Sequence, residues 1–185
     1  MQEGFRLLGK LVLVTGAARS GKSEFAERLA NQHKGIVTYI ATARCNSQDL
    51  DWQARIERHR QRRPPGWLLE EVPLDISAPL ERWGQPQACI LLDSLGTWVA
   101  NGLEEGDEVW GDRRDRWLDT ARNFPGTCIV VAEETGWGVV PAYASGRLFR
   151  DRLGEVTRRV GAIADETYLI VAGRVLNLSK IADPL

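Results

Sequence analysis

Short apolar segments recur along the chain and alternate with longer amphipathic segments. The runs Lys10–Thr15, Ala88–Asp93 and Thr127–Ala132 are apolar at nearly every position, as expected for strands buried on both faces. Between such runs, Ser23–His33 and Ala144–Ala164 place apolar residues at helical spacing. This alternation predicts a mainly parallel sheet that is covered by helices on both faces.

The remaining predicted elements extend the same alternation. They are strands at Ile36–Thr42, Trp67–Val72, Thr167–Gly173 and Val175–Leu178, and helices at Asp49–Arg63, from Ser94 through Asn101 and at Glu108–Phe124. Right-handed crossovers bring the carboxyl ends of parallel strands to one edge of the sheet, where ligands bind. We therefore expect the segments after Thr15, Thr42, Asp93 and Ala132 to line one cleft.

Composition narrows the class of protein. The 185 residues fit one domain, and a formal net charge of −1 gives no basic surface for a nucleic-acid partner. No apolar run approaches the ~20 residues of a membrane helix, so we expect a cytoplasmic protein and not a membrane protein. We predict a short leader at 1–9, too polar for a signal peptide, and one catalytic domain at 10–185. Cys89 and Cys128 lie in apolar runs and predict buried thiols.

A glycine-rich segment follows the first predicted strand and matches the pattern G-x-x-x-x-G-K-[ST]. Backbone N–H groups of such a loop wrap a phosphate, and the helix that starts there favours anions. Lys22 adds a charge for the outer phosphates, and Ser23 offers a hydroxyl to Mg²⁺. The eight-residue pattern, the apolar strand before it and the amphipathic helix after it argue against a chance match. The predicted phosphate site comprises Gly16, Ala17, Ala18, Arg19, Ser20, Gly21, Lys22 and Ser23.

A carboxylate, Asp93, ends the apolar run that starts at Ala88. At the end of a buried strand it can hold Mg²⁺ through water, together with Ser23. The alternative is that Asp93 caps the helix predicted to start at Ser94. The phosphate loop favours the metal site, because a bound triphosphate needs a cation.

A histidine lies among arginines on the predicted helix Asp49–Arg63. His59 follows Arg55 by four residues and precedes Arg62 and Arg63 by three and four, so these side chains are neighbours on a helix. A cationic surround disfavours the imidazolium. A neutral imidazole can attack phosphorus while the arginines hold the triphosphate and its leaving pyrophosphate.

Spacing alone favours a structural role for the same histidine. Trp52, Ile56 and His59 fall on one stripe of the helix. His59 could therefore lie at the edge of the core on a basic surface helix. The pattern of residues alone does not decide between nucleophile and core-edge histidine.

Several motifs together resemble one enzyme family. They are Thr15–Ser23, Tyr39–Thr42, Arg55-Ile56-x-x-His59-x-x-x-Arg63-Pro64, Leu91–Asn101, Glu134–Pro141 and Arg147–Val156. In this order they cover about Leu11–Leu178 and resemble the bifunctional adenosylcobinamide kinase/adenosylcobinamide-phosphate guanylyltransferase of cobalamin biosynthesis. The resemblance implies that the enzyme phosphorylates adenosylcobinamide and then transfers GMP from GTP onto that phosphate through a guanylylated histidine.

The resemblance also implies a site, cofactors and an assembly. His59 falls on the guanylylated position, and the cofactors are GTP, ATP and Mg²⁺. The fold is an α/β P-loop fold of the RecA-like type, a three-layer sandwich around a mainly parallel sheet, and the assembly is a homotrimer. Alternatives are a P-loop small-molecule kinase without guanylyl transfer and a nucleotide-binding regulator. Beyond the phosphate loop, the implied nucleotide-binding residues are Thr42, Arg55, Arg63, Glu71 and Asp93.

Some positions depart from the family pattern. Arg58 stands where some members have a second histidine, and Asp93 replaces Glu. Glu133 stands where many members have Asn, which adds charge to the cleft, and the loop at Ala43–Gln48 is slightly longer. On the last predicted helix, we expect five arginines to form a solvated face: Arg147, Arg150, Arg152, Arg158 and Arg159.

Overall fold

The structure, a computed structural model, describes residues 9–44, 50–183 and 185. The side chains at positions 50, 51, 52, 55 and 58 are outside this description, as is the predicted leader apart from Gly9. The elements are β1 (Leu11–Gly16), α1 (Lys22–Asn31), β2 (Val37–Ala41), α2 (Leu50–Arg62), β3 (Leu68–Glu71), α3 (Ser77–Arg82), β4 (Cys89–Asp93), α4 (Leu95–Asn101), α5 (Asp107–Arg122), β5 (Thr127–Glu133), α6 (Ala144–Ile163), β6 (Glu166–Val171), β7 (Arg174–Asn177) and a 3₁₀ turn (Leu178–Lys180).

The strands form one seven-stranded sheet in the order β3-β2-β4-β5-β1-β6-β7. All neighbouring strands are parallel except β6 and β7, which form an antiparallel hairpin. Alternate residues of β1 enter different cores: Leu13 belongs to one cluster and Val14 to the other. Helix α1 contributes Ala26 and Ala30 to the second core, whereas α3 to α6 cover the first. The predicted three-layer α/β fold is confirmed.

One helix was not expected from the sequence. Helix α3 has six residues, Ser77–Arg82, and buries Ser77, Pro79 and Leu80. It is too short to show the repeating apolar spacing by which longer helices are recognised. Of the helices within the described ranges, none is both long and apolar enough to cross a membrane. Cys89 and Cys128 are buried, as predicted, and burial raises the pKa of the Cys89 thiol to about 12.

One arginine of α6 contradicts the expected solvated face. Arg152 is only 5% exposed. Its guanidinium donates to the carbonyl oxygens of Gly102, at 3.1 Å, and Glu105, at 2.8 Å, and lies 5.2 Å from the ring centroid of Trp110. It also pairs with Asp107 at 2.9 Å. The prediction was wrong for Arg152 because backbone carbonyls and a carboxylate satisfy the buried charge.

The topology brings the predicted cleft together. Strand β5 lies between β1 and β4, and Gly16 is in register with Glu133. Strand β4 pairs with β5 on one side and with β2 on the other, where Asp93 is in register with Ala41. Beyond the strands, the amide of Glu134 donates to the carbonyl of Gly16 at 2.9 Å. The ends of β1, β2, β4 and β5 therefore meet at one edge of the sheet, as expected from their common direction.

Candidate active site

The phosphate loop connects β1 to α1 in a conformation that requires glycine. Gly21 has φ 92°, in the left-handed region that residues with a side chain rarely adopt. A Cβ atom on Gly16 would lie 2.5 Å from the carbonyl oxygen of Ile170 on β6. The amide of Ser20 donates to the carbonyl of Ala17 at 3.2 Å and closes the turn. Both glycines of the motif are thus needed by the backbone itself.

Polar groups of the loop converge on its interior. Lys22 is 4% exposed, and its Nζ donates to the carbonyl of Ala17 at 3.3 Å. The hydroxyls of Thr15 and Ser20 are buried and have no hydrogen-bond partner within the described residues. A phosphate oxygen can accept hydrogen bonds from such groups. The structure places Gly16, Ala17, Ala18, Arg19, Ser20, Gly21, Lys22 and Ser23 in one continuous loop and helix start.

Asp93 connects the end of β4 to the phosphate loop. Its side chain is 9% exposed and accepts a hydrogen bond from the Tyr39 hydroxyl at 2.9 Å. The side chain of Ser23 also lies near this carboxylate and helps to lower its pKa. Burial raises the pKa of Asp93, but the hydrogen bond and charge of His59, with Tyr39 and Ser23, outweigh it, and the pKa falls below its usual value. The predicted metal-binding pair, Ser23 and Asp93, is brought together.

Asp93 does not act as a helix cap. Helix α4 has Ser94 as its N-cap, whose hydroxyl accepts from the Thr97 amide. The same hydroxyl donates to Glu133 at 2.7 Å, and Glu133 also accepts from the Gly96 amide at 2.9 Å. Glu133 therefore holds the start of α4 beside the cleft. The capping alternative for Asp93 is wrong.

His59 lies beside two carboxylates. Its Nδ1 is 3.5 Å from Oδ2 of Asp93 and 4.0 Å from Oε1 of Glu27. Arg62, three residues further along α2, donates to Glu24 at 3.1 Å and to Glu27 at 3.2 and 3.0 Å. These contacts fasten α2 to α1 and place His59 next to the phosphate loop.

Glu27 is the site residue that sequence reasoning missed. It is buried in α1 and faces His59 and Arg62. Burial raises the pKa of Glu27, and the hydrogen bond and charge of Arg62 partly oppose this. The available signal was its position four residues after Ser23, which puts both on one face of α1.

Glu27, His59 and Asp93 each offer one ligand atom, all within 4.8 Å of one another. We assign no metal to this group, because Arg62 already donates to both oxygens of Glu27.

A small cavity, here called the histidine pocket, lies between α2 and the ends of β2, β3 and β4. Its volume is about 100 Å³. The guanidinium of Arg63 lies 5.0 Å from the ring centroid of Tyr39, as in a cation–π contact. The residues that define this pocket are Tyr39, Ile56, His59, Arg63, Leu69 and Glu71.

The other predicted nucleotide-binding residues divide into two groups. Arg63 and Glu71 line the histidine pocket together with Asp93. Thr42 is fully buried instead, and its hydroxyl donates to the Ser94 carbonyl at 2.8 Å and accepts from the Ser94 amide at 3.0 Å. Thr42 therefore fixes the chain beside Asp93. The side chain of Arg55 lies outside the described residues.

Comparisons with known proteins identify the family of this chain. The family model "Cobinamide kinase / cobinamide phosphate guanyltransferase" matches residues 12–178. The chain is 36% identical over 163 residues to the bifunctional adenosylcobalamin biosynthesis protein CobP of Pseudomonas aeruginosa, covering 87% of this chain and 92% of that protein. It is 33% identical over 177 residues to the bifunctional protein CobU of Salmonella typhimurium, covering 88% and 96%.

Among solved structures, an ATPase from the type III secretion system of pathogenic bacteria has a similar fold, with a TM-score of 0.57 at 12% identity. The match covers 89% of this chain and 52% of that one. This similarity concerns the fold alone. The family match spans nearly the whole sheet together with helices α1 and α2, and the relatives align over most of their own length. The chain belongs to the cobinamide kinase/cobinamide phosphate guanyltransferase family of transferases.

Proposed function

We propose that this protein carries out two successive transfers on a cobinamide. It first moves the γ-phosphoryl group of a nucleoside triphosphate onto the hydroxyl of adenosylcobinamide. It then transfers GMP from GTP onto that phosphate and forms adenosylcobinamide-GDP, with His59 as the intermediate carrier. The observation that supports this most strongly is the contact of His59 with Asp93, at 3.5 Å, because Asp93 also lies near Ser23 of the phosphate loop.

The kinase step uses the phosphate loop. Backbone amides of the loop and Lys22 hold the outer phosphates and balance the charge that develops during transfer. The acceptor hydroxyl attacks the γ-phosphorus and loses its proton, while the bond to the β-phosphate oxygen breaks and a nucleoside diphosphate leaves. The chain's contribution here is positioning and charge stabilisation.

The guanylyl step uses the imidazole. Carboxylates beside Nδ1 of His59 favour the tautomer with its proton on that nitrogen, which leaves the lone pair on Nε2. Nε2 attacks the α-phosphorus of GTP, and pyrophosphate leaves from the phosphate loop. An oxygen of the cobinamide phosphate then attacks the same phosphorus, the bond to Nε2 breaks, and the histidine is regenerated.

The residues at the loop also fit Mg²⁺. The cation prefers oxygen ligands, and the Ser23 hydroxyl and the Asp93 carboxylate lie together, with the lowered pKa keeping Asp93 ionised. When bound, Mg²⁺ would neutralise phosphate charge. Ser23 and Asp93 would hold it, the latter through water.

Base selection belongs to the histidine pocket. The Glu71 carboxylate lines the pocket near Leu69 and Arg63. A carboxylate accepts hydrogen bonds only, so it pairs with the N–H groups on the edge of guanine and not with the N1 acceptor of adenine. We therefore assign Glu71 to guanine recognition. Arg63, whose guanidinium lies over the Tyr39 ring, is assigned a contact at the side of the bound nucleotide.

Labelling with GTP that is radioactive at the α-phosphate tests the covalent step. We expect wild-type protein to take up an acid-labile label, and His59→Ala to take up none. His33→Ala is the matched control, because His33 contacts the carbonyl of Gln87 instead, at 2.8 Å, and its variant should label normally.

Equal labelling of wild type and His59→Ala would refute the histidine assignment. Absence of label from the wild type, with phosphoryl transfer intact, would instead support a small-molecule kinase without guanylyl transfer. The homotrimer implied by the family resemblance stays a prediction, which light scattering of the purified protein tests.

A further inference from the structure

A second cavity lies beside the phosphate loop, between α1 and the β6–β7 hairpin. Its volume is about 550 Å³, against about 100 Å³ for the histidine pocket. Within the part of the chain that the structure describes, the two cavities share no lining residue. The mechanism above makes no use of it. We call it the hairpin cavity, and its principal lining residues are Ser20, Gly21, Phe25, Arg28, Asn31 and Val175.

The walls of the hairpin cavity suit a flat aromatic ring. Phe25 is half-buried, and its ring is fixed by an edge-on contact with Tyr168, whose centroid is 5.0 Å away. The guanidinium of Arg28 lies 5.3 Å from the same Phe25 ring. Ile170 and Val175 supply apolar surface from the hairpin. Aromatic and guanidinium planes of this kind stack on nucleobases with little regard to base identity.

The polar groups of the cavity are compatible with either purine. Asn31 is exposed at the end of α1 and lines the cavity, and its amide carries both donors and an acceptor. The carboxylates of Glu24 and Glu27 are already hydrogen-bonded to Arg62. Arg28 is a second basic residue of the wall, so two arginines offset the two carboxylates. In the histidine pocket, by contrast, Glu71 offers only acceptors.

We propose that the hairpin cavity holds the purine base and ribose of the nucleoside triphosphate that donates the γ-phosphoryl group. The cavity reaches the phosphate loop at Ser20 and Gly21, so a triphosphate in the loop can extend its nucleoside into it. Its volume falls within the range of about 300–1,000 Å³ that is usual for small-molecule sites. This proposal rests on the two-step function given above.

The two transfers explain why one loop has two base sites. Guanylyl transfer must present the α-phosphorus to His59, so that nucleotide directs its base into the histidine pocket on the α2 side. Phosphoryl transfer must present the γ-phosphorus, two phosphates further along, to an acceptor hydroxyl. In that step the γ-phosphorus bonds to the acceptor oxygen, the hydroxyl proton is released, and the diphosphate leaves with its base in the hairpin cavity.

Filling the cavity tests the assignment. Val175→Trp adds bulk at a wall residue of the edge strand β7 that is 41% exposed, and tryptophan is well accepted in strands. Leu176→Trp is the matched control, because Leu176 is 40% exposed, is next in the same strand and does not line the cavity. Calorimetry with an imido analogue of ATP that cannot transfer its γ-phosphate measures binding directly.

We expect Val175→Trp to weaken binding of this analogue by about tenfold or more, which corresponds to about 1.4 kcal/mol, and Leu176→Trp to change it by less than about twofold. Light scattering checks that both variants keep the wild-type assembly. Asn31→Ala, a milder change that leaves the hairpin intact, should weaken binding by about threefold, as the loss of one neutral hydrogen bond implies. Photolabelling of wild type with 8-azido-ATP should modify peptides that contain Arg28, Asn31 or Val175.

Three results with the variants or from photolabelling would overturn the proposal. They are unchanged analogue affinity in Val175→Trp, photolabelling of the histidine pocket at Ile56 or Leu69, and loss of cobinamide binding in place of nucleotide binding, which would make the cavity an acceptor site. Wild-type protein that binds no ATP analogue also refutes it. Failure of the two-step function is seen separately, as absence of α-label from GTP on wild type, since calorimetry needs no turnover.

Discussion

The phosphate loop and the histidine pocket are built in opposite ways. The loop is one continuous segment, Gly16–Ser23, whose shape follows from its own glycines and from the carbonyl of Ile170 beneath it. The centre around His59 instead joins α2 to Glu27 of α1 and Asp93 of β4. A local motif fixes its own geometry, whereas an assembled centre depends on how separate elements pack. The two regions should therefore respond differently to substitution.

The largest effect is expected from Lys22→Ala. The loop serves both transfers in the proposed mechanism, so the variant should lose about 10²–10³ in kcat for phosphoryl transfer and also for guanylylation, as when a charge-stabilising donor is removed. Single-turnover assays with γ-labelled ATP and α-labelled GTP measure the two steps separately. Lys34→Ala, just beyond α1, is the control. If Lys22→Ala impaired one step only, the loop could not be common to both.

The same contrast explains what could be read from the sequence. The loop was predicted residue by residue, because its eight positions are contiguous and its conformation is local. His59 was identified through its spacing to arginines and the family resemblance. One of those arginines, Arg62, donates to Glu24 and Glu27. Glu27 was missed because only the packing of α2 on α1 brings it to His59. Long apolar strands were equally readable, whereas α3, with six residues, was not.

A smaller effect, confined to the histidine pocket, is expected from Glu71→Gln. The amide replaces one acceptor by a donor, so recognition of guanine should weaken by about 30-fold, within the range of about 1.5–3 kcal/mol for hydrogen bonds to charged groups. The measurement is the rate of guanylylation at limiting GTP, with ATP-dependent phosphoryl transfer unchanged. Glu70→Gln is the control, because Glu70 bonds Arg82 and Trp83 instead. Equal loss in both steps would place Glu71 outside base recognition.

A still smaller effect tests the attachment of α2. Arg62→Ala removes the hydrogen bonds to Glu24 and Glu27 that hold the helix of His59 against α1. We expect kcat for guanylylation at saturating GTP to fall about tenfold, as loss of one or two charged hydrogen bonds implies. Arg122→Ala is the control, because Arg122 is exposed at the end of α5 and is not among the lining residues of either cavity. A similar loss of kcat in both variants would mean that guanylylation depends on the basic charge of the protein and not on the attachment of α2 to α1.

The smallest effect is expected on the pH dependence of stability. Here Asp93 and Glu27, the two carboxylates beside His59, should act in opposite directions. The pKa of Asp93 is lowered from 3.8, so the folded state holds fewer protons than the unfolded state as pH falls below that value. Stability is lost on this acid side, and Asp93→Asn should flatten the loss. The pKa of Glu27 is raised from 4.5. In the folded protein Glu27 keeps its proton to higher pH, so stability falls as pH rises above 4.5. Glu27→Gln should remove this dependence of the unfolding free energy on pH.

Urea unfolding at a series of pH values distinguishes the two signs. Asp93→Asn should differ from wild type in slope below pH 3.8, and Glu27→Gln should differ in the opposite sense above pH 4.5. The cause is one of position: for Asp93 the hydrogen bond and charge of His59, helped by Tyr39 and Ser23, outweigh burial, whereas for Glu27 the contact with Arg62 does not. If both substitutions changed the pH dependence of the unfolding free energy in the same sense, Asp93 and Glu27 would have equivalent surroundings. The packing of α2 on α1 would then not distinguish the two carboxylates beside His59.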